Sequence, residues 1–207
     1  MNKVFLGAIA AVAVMGAHAA PANALLFTLN QDGCTGGCGT GSTVFGTIDV
    51  QQGSTANSVT VVETLTGSQF VKTGAGDALG FNLLGSPAIT ITNLTAGFTA
   101  SGADTFSTFG TFQTTILCSG CGPGASSPLP GPLSFTVTSA TALTPLSFVA
   151  NSGGFFFASD IIGPTGRTGN VAARGPTTPP VTVPEPASMV LLGAGLVGLG
   201  LIRRKAG

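Results

Sequence analysis

The chain has 207 residues, of which 43% are hydrophobic and only 7% charged, against roughly 25% charged in ordinary soluble domains. Such a surface must be wetted by Thr, Ser, Asn, Gln and backbone, which suits an extracellular β-rich protein better than a cytosolic enzyme. Formal net charge is zero, yet between Leu25 and Pro180 six acids (Asp32, Asp49, Glu63, Asp77, Asp104 and Asp160) face only Lys72, Arg167 and Arg174, so nothing there could neutralise a row of phosphates and nucleic acid is excluded as a partner.

The first segment reads as an address. Lys3 supplies one positive charge, residues 4–15 are an apolar run of signal-peptide length, and small residues follow in Ala17-His18-Ala19 and Ala22-Asn23-Ala24. Cleavage after Ala19 and cleavage after Ala24 both fit, and residues 1–24 are assigned as the signal peptide. His18, the only histidine, leaves with it.

From Leu25 onward, short runs rich in Val, Ile, Phe and Thr alternate with Gly, Asn, Ser and Pro clusters at the spacing of strands and turns. Strands are expected at 25–29, 44–50, 59–65, 69–72, 79–84, 88–94, 112–118, 133–138, 146–149 and 154–161. Period-two alternation puts Val44, Ile48 and Val50 on one face, with Phe45, Thr47 and Asp49 on the other. Residues 95–110 read as a long loop or a weak edge strand, and 123–132 as a second break. No helical pattern with caps precedes residue 187, so helix should be scarce. The fold class expected over 25–174 is all-β, a single antiparallel β-sandwich of jelly-roll-like or Ig-like kind.

Four cysteines fall as two close pairs, Cys34 with Cys38 and Cys118 with Cys121. In an oxidising compartment these are disulfide candidates, and three connectivities are open. Local bonds would each staple a glycine-rich loop, crossed bonds would constrain the unfolded chain more, and the local pairing is marginally preferred. A four-thiolate zinc site is the competing reading; no metal or cofactor is assigned.

Enzymatic readings lack parts. With His18 removed there is no histidine general base, and the chain has no Tyr or Trp, the commonest sugar-stacking platforms. A glycosidase would need two of the six carboxylates. Asp77 and Asp104, on expected loops, are the nearest candidates, although turn aspartates are usually plain solvated residues. No catalytic residue is assigned. Calcium is not motivated either, since no Asp ladder of the EF-hand kind is present.

Residues 175–183 form a Pro/Thr-rich linker that favours an extended tether. Residues 187–202 are uncharged and end at Arg203-Arg204-Lys205. As a helix they would span about 24 Å at ~1.5 Å per residue, a short anchor for a ~30 Å hydrocarbon core. Arg203, Arg204 and Lys205 would stay on the cytoplasmic side as the membrane stop, leaving everything before them outside.

Val183-Pro184-Glu185-Pro186-Ala187-Ser188, the glycine-rich apolar run and the basic end, in that order, resemble the PEP-CTERM sorting signal. The resemblance covers 184–207. It implies export in a Gram-negative bacterium, processing by an exosortase (a membrane cysteine peptidase), anchoring in the inner membrane facing the periplasm beforehand, and a host that makes extracellular polysaccharide. It also implies that Pro184, Glu185 and Pro186, preceded by Val183, are recognised as substrate and catalyse nothing. More loosely, 154–162 followed by 168–172 resembles the closing strands that precede the tag in many such proteins. The expected function is that of a non-enzymatic cell-surface or matrix protein associated with exopolysaccharide or biofilm; the alternatives are a carbohydrate- or surface-binding module and, third, a secreted hydrolase.

Overall fold

Alternating apolar side chains give residues 24–177, the part described by the computed structural model, a regular structure that is β apart from one 3₁₀ turn. Residues 1–23, which hold all but the last residue of the expected signal peptide 1–24, the chain after Thr177, the sorting motif, the expected helix 187–202 and the basic tail lie outside the described residues. Among those described, no helix is long and apolar enough to cross a membrane.

The first strands are β1 (Ala24–Leu29), β2 (Gln31–Asp32), β3 (Gly46–Gln52), β4 (Ser58–Leu65), β5 (Gln69–Lys72) and β6 (Leu79–Leu83). Next come β7 (Ile89–Thr92), β8 (Thr99–Ser101), β9 (Asp104–Phe106), β10 (Gly110–Phe112) and β11 (Thr114–Leu117). The last are β12 (Gly124–Leu129), β13 (Leu133–Ser139), β14 (Phe148–Val149), β15 (Phe157–Ile162) and β16 (Thr168–Ala173). One antiparallel sheet has the order β1-β3-β4-β13-β7. The second runs β12-β5-β15-β6-β11-β8, with β14 also on β6, β16 on β15 and β2 on β16. The two sheets face each other as a sandwich. Between them Phe27, Phe81, Phe135, Phe148 and Phe157 form a chain of aromatic contacts, for example 4.9 Å between the Phe27 and Phe157 ring centroids and 5.5 Å between Phe148 and Phe157.

A second, smaller core lies on the other side of the second sheet. In β15 and β16 the odd positions Phe157, Ile161, Val171 and Ala173 enter the sandwich core. The even positions Ala158 and Ala172 instead meet Phe106, Phe109, Phe112 and Phe155 of the covering β9–β10 hairpin and its neighbours. Gly80 makes this possible: a Cβ there would lie 2.5 Å from the Phe106 ring and 3.0 Å from the Phe112 ring, closer than any side chain tolerates.

Several sequence expectations are corrected. Val44 is 46% exposed and Phe45 is buried, because alternation slips at the strand entrance. Phe45 donates its N–H to Leu29 O (2.9 Å) and accepts from Thr66 N–H (2.7 Å), while the next residue, Gly46, also faces inward. The expected strand 146–149 begins as a 3₁₀ turn, Pro145–Ser147, since proline lacks the N–H that a strand would use and is preset for a first helical turn. The break at 123–132 contains β12, an edge strand whose register on β5 shifts between Gly124 and Leu129; an edge is where Pro128 can be accommodated. Residues 95–110, expected as a long loop or a weak edge strand, do hold an edge strand, β8, but also β9, and Phe106 and Phe109 are buried in the outer core. The strand expected at 112–118 breaks at Gln113, whose N–H bonds Asn82 Oδ1 at 2.7 Å.

Candidate functional site

The four candidate cysteines are paired locally, Cys34 with Cys38 and Cys118 with Cys121, at Cα separations of 5.5 and 5.3 Å. All four sulfurs are thereby consumed, so a four-thiolate zinc site gives way to two stapled loops. Around the first, Asp32 acts as a hub. Its carboxylate accepts N–H bonds from Cys34 (3.0 Å), Cys38 (2.9 Å) and Gly39 (3.1 Å). Asp32 lies near the Cys34 and Cys38 sulfurs, but a disulfide offers no thiolate to a metal, and the carboxylate is already bonded to the loop backbone.

The two sequence-nominated acids part company. Asp104 lies in β9 rather than in a loop and bonds the N–H of its own neighbour Thr105. Asp77 lies in the segment joining β5 to β6, and the topology explains its surroundings. Both strands lie on the same edge of β15, β6 opposite Phe157 and Ala158, β5 opposite Ile161 and Ile162. The connection between them therefore crosses the gap left beside Asp160. Asp160 N–H closes that gap by bonding Asp77 O at 3.1 Å. The Asp160 side chain, fully buried, accepts from Thr73 N–H (2.9 Å) and Thr73 Oγ1 (2.8 Å). Asp77 accepts from the Thr115 hydroxyl. Burial pushes the Asp160 carboxyl up to about 6, against the pull of the Thr73 hydrogen bonds and helped by the nearby negative charge of Asp77.

Sequence reasoning nominated neither Asp160 nor a further acid, Glu63. Glu63 in β4 is fully buried between the sheets, and both its carboxyl oxygens lack a hydrogen-bond partner. Desolvation pushes its pKa from 4.5 to about 8, only partly opposed by the neighbouring Ser159 hydroxyl, which donates to Ala78 O at 2.6 Å. The signal was available: Val59, Val61 and Glu63 share one face of the strand by period two. Neither high-pKa acid can meet a substrate, because both are sealed from solvent.

At the C-terminal end of the domain the chain docks on the free edge of β1. Pro176 bridges to Phe27, Thr177 N–H bonds Leu26 O at 2.7 Å, and Thr177 Oγ1 bonds the same oxygen at 3.1 Å. The expected linker from 175 thus stays bonded to the sandwich through Thr177. Beyond it, residues 182–205 match the family model of the PEP-CTERM protein-sorting motif. The chain carries a PEP-CTERM sorting motif. It marks an exosortase substrate, and hence an exported, membrane-associated or surface protein. The PEP-CTERM match takes in Val183, Pro184, Glu185 and Pro186 and the basic Arg203, Arg204 and Lys205, all outside the described residues. Comparison with curated proteins and with solved structures returned no match.

Proposed function

We propose that the exported sandwich is a non-enzymatic component of the cell surface or extracellular matrix, lying among exopolysaccharide. The supporting observation is the solvent face of the five-stranded sheet. Thr28 pairs with Thr47 and Thr47 with Thr64 across β1, β3 and β4. Thr60 pairs with Thr136 and Thr136 with Thr92, and Thr138 with Thr90, across β4, β13 and β7. Along these rows the hydroxyl and methyl groups repeat at about 4.8 Å between strands. Such a surface exchanges hydrogen bonds with neutral hydroxyl-rich polymers at little desolvation cost. Of the thirteen phenylalanines in the described residues, all but Phe156 are buried, which leaves the dedicated sugar-binding reading without its usual stacking platform.

The test is co-sedimentation of the purified protein with the host's own exopolysaccharide, together with its distribution among membrane, surface and released fractions. Weak, charge-independent association without turnover of the polymer is expected. Turnover that is lost in Asp77→Asn would overturn this reading in favour of a hydrolase.

A further inference from the structure

Three connecting segments close one end of the sandwich: 53–57 between β3 and β4, 84–88 between β6 and β7, and 140–147 between β13 and β14. Hydrogen bonds gather them. Ser139 N–H bonds Asn57 O at 3.1 Å, Asn57 Nδ2 bonds Ser139 O at 2.8 Å, and Leu143 N–H bonds Ala56 O at 3.1 Å. Leu84 N–H bonds Ser147 O at 2.9 Å, which joins the second segment to the third. Here stand Leu84, 71% exposed, and Leu146, 60% exposed, the two most exposed large apolar side chains among the described residues. The Leu84–Ser147 bond makes them near neighbours. Ala88, Ala140 and Ala142 are exposed on the same segments, and none of the three segments carries a charge. Scattered exposed leucines are ordinary, but a pair gathered on an uncharged end is a patch. Both ends of the described chain reach this patch. Ala24 opposes Gln51, beside the first segment, just as Ile89 opposes Ser139. Pro176 opposes Phe27 in antiparallel sense and Thr177 bonds Leu26, so the chain leaves the sandwich heading towards Ala24.

We propose that this end of the sandwich is a lipid-contact surface, resting on the membrane that anchors the unprocessed chain, with Leu84 and Leu146 dipping among the headgroups. The proposal rests on the reading of 187–202 as a membrane anchor. Only residues 178–186 separate Thr177 from that uncharged run, and the apolar run expected in the signal peptide joins the domain through Ala24. An uncharged end approaches lipid with no ion to desolvate. The opposite end differs: there Thr165 N–H bonds Cys38 O, Arg167 bonds Thr35 O, and Asp32 holds the disulfide loop. Two leucines bury too little apolar area for lasting attachment on their own. Tethering raises their effective concentration at the bilayer, so the contact orients the anchored domain and lapses once processing frees it.

The chain has neither Trp nor Tyr, so one introduced tryptophan reports its own surroundings. Full-length Leu84→Trp and Leu146→Trp, both at exposed positions that the fold tolerates, would be reconstituted in phosphatidylethanolamine–phosphatidylglycerol vesicles with and without brominated acyl chains. Thr66→Trp, exposed at the opposite end beyond β4, is the reference. Brominated lipid should remove about half of the emission at Leu84 and Leu146, as expected for side chains in the headgroup–acyl boundary, and none at Thr66. Flotation with the vesicles reports the anchor separately. A chain that floats while both leucine-site tryptophans escape bromine quenching would overturn the proposal and leave the anchor reading standing. A chain that fails to float would overturn both. Blue-shifted emission without bromine quenching would assign the patch to a second copy of the chain instead of lipid, and so also overturn the proposal.

Discussion

Glu63 illustrates how one side chain can set the pH response of a domain. A carboxyl whose pKa is about 8 when folded and 4.5 when exposed is neutral in the native state across the intervening range. Below pH 4.5 both states hold the proton, and the Glu63 contribution to stability is complete. Between 4.5 and 8 the unfolded chain releases the proton while the folded one keeps it, so each pH unit costs about 1.4 kcal/mol. Above that window both are ionised and the loss stops growing. Glu63→Gln keeps the shape and removes the proton. Urea unfolding of both proteins through the window should show wild-type stability falling relative to the variant as pH rises; parallel curves would mean the carboxyl is ionised or solvated in the fold.

Among the elements, the disulfide loops allow a quantitative test. Each bond joins cysteines only four or three positions apart, so chain-entropy reasoning assigns about 2 kcal/mol to each, against about 4.5 kcal/mol for a crossed bond closing a loop of more than eighty residues. Replacing Cys34 and Cys38 together by serine should therefore lower unfolding stability by about 2 kcal/mol, and a loss near the larger figure would contradict local pairing. Elements that the sequence made legible are those with clean alternation or with turn residues marking both ends. β4 and β13 alternate cleanly against the sandwich core, and β5 was read to the residue, Gln69–Lys72. Segments facing two cores were opaque. Phe106 and Phe109 sit in a glycine-rich, polar stretch that resembles a loop because their burial comes from a covering layer, which single-sheet alternation does not encode. The burial of Glu63 was legible from the face it shares with Val59 and Val61, whereas that of Asp160 follows from strand partners distant in sequence, as does the gap beside it in β15. Asp77 was nominated for lying on a loop; what surrounds it depends on β5 and β6 sharing one edge of β15.

At the scale of the whole molecule, the fold and the address are joined at the edge of β1. Two hydrogen bonds from Thr177 to Leu26 O hold the chain to the sandwich, and the sorting match begins shortly afterwards at residue 182. Tethering at Thr177 occupies the exposed edge of β1, a position that otherwise invites pairing with another chain. Pro184 and Pro186 fix two backbone φ angles and remove two N–H donors, which leaves Glu185 as the residue between them that offers charge and an unblocked amide to a processing enzyme. Glu185→Ala should therefore leave export and folding intact while blocking maturation. Intact-mass analysis in the native host would find the variant ending at Gly207 in the membrane fraction, and the wild type shortened within or after the matched segment. A wild-type protein that retained Gly207 in a host with an active exosortase would show that the motif is present without being used.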